Sequence, residues 1–120
     1  AWNDRRRRIA AFYTETLAGS GVILPVVPEW ADPVWHLYVV RVPDRDAVQK
    51  RLAEAGVQTL IHYPIPPHRQ QAYADHGWHQ GDFQVAEQLA SEVLSLPIGP
   101  HLTEAQAEQV AAAVRATVAD

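Results

Sequence analysis

The sequence predicts an α+β fold: a small sheet of about three strands flanked by helices. Apolar residues recur at helical spacing in 9–17 and 110–118, three short apolar runs at 34–42, 57–62 and 93–96 read as strands, and prolines and glycines punctuate the joints between them. At 120 residues with 48% hydrophobic content, the chain suits one core and is too short for two.

The elements follow in order. Asn3 or Asp4 caps a first helix whose stripe is Ile9, Phe12, Tyr13 and Leu17, and Gly19 and Gly21 end it. Residues 22–33 hold Pro25, Pro28 and Pro33 and form an extended connector with at most one short strand. In 34–42, Trp35, Leu37 and Val39 line one face and Val34, Tyr38, Val40 and Val42 the other, which predicts a strand covered on both sides. Pro43 and Asp44 start a helix with Asp44 as cap, Val48, Leu52 and Ala55 as buried stripe and Gly56 as stop. The alternating run 57–62 is the next strand. A strand, a helix and a strand in succession suggest a right-handed crossover between parallel neighbours, with an antiparallel arrangement in a mixed sheet left open. Residues 68–73 read as a helical turn, and Asp82 as the cap of a helix with Val85, Ala86 and Leu89 inward. Residues 93–96 form a short strand that Pro97 closes. The last helix has a Thr103 and Gln106 capping box followed by Val110, Val114 and Val118, with alanines at 105, 107, 111, 112 and 113 favouring the helix intrinsically.

Composition narrows the function classes. A formal net charge of -4 and a pI near 5.8 argue against a nucleic-acid surface, so Arg5, Arg6, Arg7 and Arg8 read as a solvated face or as a contact with another part of a larger protein. Zero cysteines remove disulfides, thiolate metal sites and thiol nucleophiles together, and the cytoplasm is the default compartment. No apolar run approaches the roughly 20 residues of a membrane helix. The chain has zero methionines and begins at Ala1, from which a fragment or a processed product is expected.

Six histidines invite a metal reading, yet His62, His68, His76 and His79 match no compact ligand motif, and no glutamate stands between His76 and His79. Ser91 and Ser95 lack the glycine elbow of a hydrolase, and the dispersed glycines make no phosphate loop. The only lysine, Lys50, lies on the exposed half of a predicted helix, where a solvated role outweighs a nucleophilic one. His62 and Tyr63 stand out, since a strand ends at them and Pro64, Pro66 and Pro67 forbid its continuation. The pair can hydrogen-bond a polyhydroxylated ligand or shuttle a proton; equally, His62 can satisfy a buried carbonyl while Tyr63 packs on a proline ring. The Tyr63–Pro64 bond is the candidate for a cis peptide.

Several motifs in order carry a resemblance. Trp2 and Asn3, the arginine run with Ile9, Ala10 and Tyr13, the segment from His36 to Arg41, the segment from Gly56 through His62, Tyr63 and Pro64 to Pro67, His68 and Gln70, and the run from Leu94 to Pro100 together resemble the carboxy-terminal part of the DegT/DnrJ/EryC1/StrS aminotransferases. The resemblance spans nearly the whole chain. It implies the small domain of an aspartate-aminotransferase-type (fold type I) enzyme, residues 1–120, with 1–20 as the linking helix. It further implies a parent that uses pyridoxal phosphate to transfer an amino group, usually from glutamate, to a keto group of a nucleotide-linked sugar or a cyclitol. In that setting His62, Tyr63 and His68 are expected at the substrate, and a homodimer is the expected assembly. The family's cofactor lysine lies in a large domain absent here, and Lys50 does not match its motif. The chain by itself is therefore expected to hold no cofactor, no metal and no catalytic residue. An independent binding module that keeps the fold without catalysis is the competing reading.

Overall fold

A computed structural model describes residues 1–119. Four α-helices, two strands and two short 3₁₀ turns follow one another: α1 (Trp2–Thr16), β1 (Tyr38–Arg41), α2 (Arg45–Glu54), the turns Pro67–Arg69 and Gln71–His76, α3 (Gln84–Glu92), β2 (Val93–Leu96) and α4 (Glu104–Val118). The sheet is antiparallel, with Tyr38 opposite Leu96 and Arg41 opposite Val93. Two single antiparallel bridges widen it, Ile23 to Arg41 on the outer side of β1 and Leu60 to Ser95 on the outer side of β2.

The fold class is as predicted, while the sheet differs in count and sense. The run 57–62 keeps its alternation, with Val57 and Thr59 buried and Gln58 and Leu60 exposed, but pairs through one residue only. In the register of that bridge Gln58 falls opposite Pro97, which has no amide to donate, and Pro64 follows soon after His62 on the other side. The crossover through α2 does join segments of parallel sense, but they are not neighbours: β2 lies between β1 and the run 57–62 and pairs antiparallel with both. The strand predicted over 34–42 is shorter because Trp35 adopts φ +54, which breaks the extended run. Its two faces are also unequal: Tyr38, Val40 and Val42 are buried, whereas Trp35, Leu37 and Val39 are only half-buried.

Helix ends differ in detail. Asn3 and Asp4 lie inside α1, where Asp4 accepts from the Ala1 ammonium at 2.9 Å. Asp44 holds the position before α2 at φ +48 without a side-chain cap, and Ala55 is exposed. Phe83, not Asp82, precedes α3, and the buried residue of that helix is Ala90; Val85 and Leu89 face outward. The capping box of α4 forms as predicted, with the Gln106 amide donating to Thr103 Oγ1 at 3.2 Å and the Thr103 amide to Gln106 Oε1 at 2.9 Å.

The core lies between the sheet and the α1, α2 and α4 layer. Ile9, Tyr13 and Leu17 meet Tyr38, Val40 and Leu52, with Val110 and Val114 closing it from α4. Tyr13 and Tyr38 pack edge to face at 5.3 Å. Buried Arg45 donates to the Val93 carbonyl at 3.1 Å and ties α2 to β2. The arginine run is largely internal in its use. Arg5 donates to the Leu102 carbonyl at 2.8 Å, and Arg7 bridges Asp4 and Asp32. Among the described residues no helix is long and apolar enough to cross a membrane.

Candidate functional site

Local sequence places His62 at a junction. Leu60 exchanges two backbone hydrogen bonds with Ser95, at 2.7 and 3.2 Å, and this single bridge sets the height of the chain against β2. Two residues on, the ring of His62 reaches back, and its Nδ1 lies 2.9 Å from Ser95 Oγ. Tyr63 stands perpendicular to that ring at 5.4 Å and is 70% exposed. The cis peptide is His62–Tyr63, one bond before the Tyr63–Pro64 bond that the sequence singles out.

His62 borders two clefts. One, of about 280 Å³, is lined by Tyr63, Ile65, Pro67, Leu89 and Val93. The other, of about 160 Å³, is lined by His36, Gln58, Leu60, Ser95 and Ile98. Mostly apolar walls with a few convergent polar groups are the usual make-up of a small-molecule site. The histidine ring and the phenol supply donors and acceptors there.

His68 is placed differently. It is 8% exposed, its Nε2 lies 2.9 Å from Glu87 Oε1, and its ring packs on Phe83 at 4.8 Å. It borders neither cleft. Glu87 also accepts from the Gly81 amide, at 2.9 and 3.1 Å. The hydrogen bond from His68 and then that of Gly81 hold the Glu87 carboxyl below the ordinary glutamate range. This contact fastens the first 3₁₀ turn and the loop before α3 to α3 itself. Beyond it, His76 stacks on Trp78 at 4.9 Å, and the His79 amide donates to Asp82 at 2.6 Å. No group of three or more histidine, aspartate or glutamate side chains able to hold a metal occurs among the described residues.

Two residues of this arrangement carry no signal in the sequence. Ser95 has no hydrolase motif around it, and Glu87 looks like any exposed helical carboxylate. Their partners lie 33 and 19 residues away, so only the fold pairs them.

The model of the DegT/DnrJ/EryC1/StrS aminotransferase family matches residues 1–115. The chain belongs to this family. It is 53% identical over 116 residues to the erythromycin biosynthesis sensory transduction protein EryC1 of Saccharopolyspora erythraea, a match covering 96% of this chain and 32% of that protein. It is 51% identical over 112 residues to the dTDP-3-amino-3,6-dideoxy-alpha-D-galactopyranose transaminase of Aneurinibacillus thermoaerophilus, covering 93% and 30%. Among solved structures, the S. venezuelae DesV in complex with a ketimine intermediate superposes with a TM-score of 0.96 at 47% identity, covering 99% of this chain and 32% of that one. The chain thus spans about a third of the length of the relatives it matches.

Among the described residues, neither cleft at His62 is lined by a lysine that could form a Schiff base with pyridoxal phosphate. The one lysine available for a Schiff base, Lys50, is exposed on α2 and borders neither cleft. A cofactor lysine works in a site that excludes water and holds the ring.

Proposed function

We propose that this chain is the carboxy-terminal small domain, residues 1–120, of a pyridoxal-phosphate aminotransferase acting on a keto group of a nucleotide-linked sugar or a cyclitol, with glutamate as the usual amino donor. Residues 1–20 join it to the cofactor-binding part, which supplies the lysine, and the whole works as a homodimer in the cytoplasm. Family membership and the transaminase names of close relatives support the reaction class. The observation that carries the substrate role is the placement of His62, which borders both clefts, beside the exposed Tyr63, which borders the larger of the two. In this reading His62 and Tyr63 touch the sugar. His68 serves the same site by holding the loop through Glu87.

The test uses a full-length enzyme carrying this segment. His62→Ala and Tyr63→Phe are expected to lower kcat/KM for the keto-sugar by about tenfold each, the size of a lost ligand hydrogen bond, with cofactor loading unchanged. Unchanged kinetics in both variants would return the two side chains to packing.

A further inference from the structure

Ser95 is the one polar side chain of β2, a strand whose four residues are all buried. Leu94 and Leu96 belong to the core cluster, and strand alternation turns Ser95 to the opposite face. Its backbone amide and carbonyl are both taken up by Leu60 at the outer bridge, and Val39 stands opposite it across the sheet. The hydroxyl therefore sits at a fixed height, 4% exposed, with His62 Nδ1 at 2.9 Å as its partner. No other hydrogen bond to Ser95 Oγ occurs among the described residues, and none to His62 Nε2.

We infer that Ser95 is a positioning residue for His62: its hydroxyl donates to Nδ1, which fixes the ring and leaves the proton on Nε2, where it is offered to an oxygen of the bound substrate. This rests on the reading of His62 as a substrate contact. The direction follows from accounting for donors. If Nδ1–H donated to Oγ, the serine O–H would be left without an acceptor in a buried strand, which is costly. If Oγ–H donates to Nδ1, both protons have a place, the hydroxyl proton in the bond to the bare Nδ1 and the ring proton on Nε2 of the half-buried histidine, where solvent or ligand accepts it. The partner of one imidazole nitrogen decides what the other can do. An alanine at 95 would keep the strand and the core, but would leave the ring without its hydroxyl partner, free to turn and to exchange tautomers.

The tautomer is read directly by two-bond nitrogen–proton correlation spectra of the histidine-labelled chain, recorded above the pH at which imidazole protonates. The expected result is a single Nε2–H form for His62, a shift of both ring nitrogens toward averaged, exchanging positions in Ser95→Ala, and return of the single form in Ser95→Thr. In the full-length enzyme, Ser95→Ala is expected to raise KM for the keto-sugar by about tenfold with a smaller change in kcat, and Ser95→Thr to restore it. An Nδ1–H tautomer in the unmodified chain, or ring signals unmoved by Ser95→Ala, overturns the positioning role whatever the kinetics. The expected spectra together with unchanged kinetics in His62→Ala overturn the substrate role of His62 and leave the contact between Ser95 and His62 standing.

Discussion

The Tyr13 hydroxyl donates to the Pro97 carbonyl at 2.8 Å from a ring that has no exposed surface. Pro97 closes β2, so this bond fixes α1 to the end of the strand beside Ser95. Burial, with a smaller contribution from Tyr38, raises the phenol above its ordinary value of 10.0. A group whose folded pKa is raised contributes stability that is complete below its unfolded pKa and is lost as pH rises above it. Urea unfolding should therefore show the chain losing stability above about pH 10, to a smaller degree in Tyr13→Phe. At neutral pH the same substitution should cost about 1–2 kcal/mol, because the Pro97 carbonyl loses its donor. An unchanged urea midpoint at neutral pH would show that water replaces the hydroxyl without penalty.

At the scale of elements, the clefts around His62 depend on how the proline-rich loop is fastened to α3. His68, Glu87 and the Gly81 amide make that fastening. Glu87 is held low first by His68, then by Gly81, and Arg69 adds a smaller effect of the same sign. A depressed carboxyl contributes stability above its unfolded pKa and loses it as pH falls through the folded value. Amide exchange at Gly81 and Arg69 should therefore quicken, beyond the intrinsic trend, as pH drops below the ordinary 4.5 of glutamate, while amides of α4 stay protected. Glu87→Gln should show the faster loop exchange already at neutral pH. Equal protection of loop and α4 at all pH values would remove the latch. This contact was not legible in the sequence: the pattern of α3 puts Val85 and Leu89 inward, yet the helix turns Ala90 in and leaves Val85 71% exposed. Helical periodicity defines an apolar stripe, and the stripe alone does not say which surface covers it.

For the whole molecule, the apolar surface left uncovered is the main feature. Trp30 is 88% and Trp2 72% exposed, and Val26, in the same connector as Trp30, is exposed too. Phe12 and Tyr13 do not add to it: Tyr13 is in the core and Phe12 packs against its edge, since the two fall on the inward side of α1 with Ile9. Large apolar groups in contact with water favour association. The isolated chain should self-associate with rising concentration in sedimentation velocity and bind a hydrophobic dye. Trp30→Ser should weaken both effects. A strict monomer that binds no dye would refute the expectation.

Local patterns in the chain determined the helices, the alternation in 57–62, the short strand at 93–96 and the capping box at Thr103. Each depends on residues within a few positions of one another, where periodicity, caps and missing amide donors act directly. The motifs that resemble the family are local in the same sense, and the family assignment stands on them. Only the tertiary structure decided the antiparallel sense of the sheet, the burial of His68 against Glu87 and the meeting of His62 with Ser95. Those depend on contacts between residues 19 or more positions apart. Side-chain type does not encode which distant partner is present; the closing of the chain over its core does.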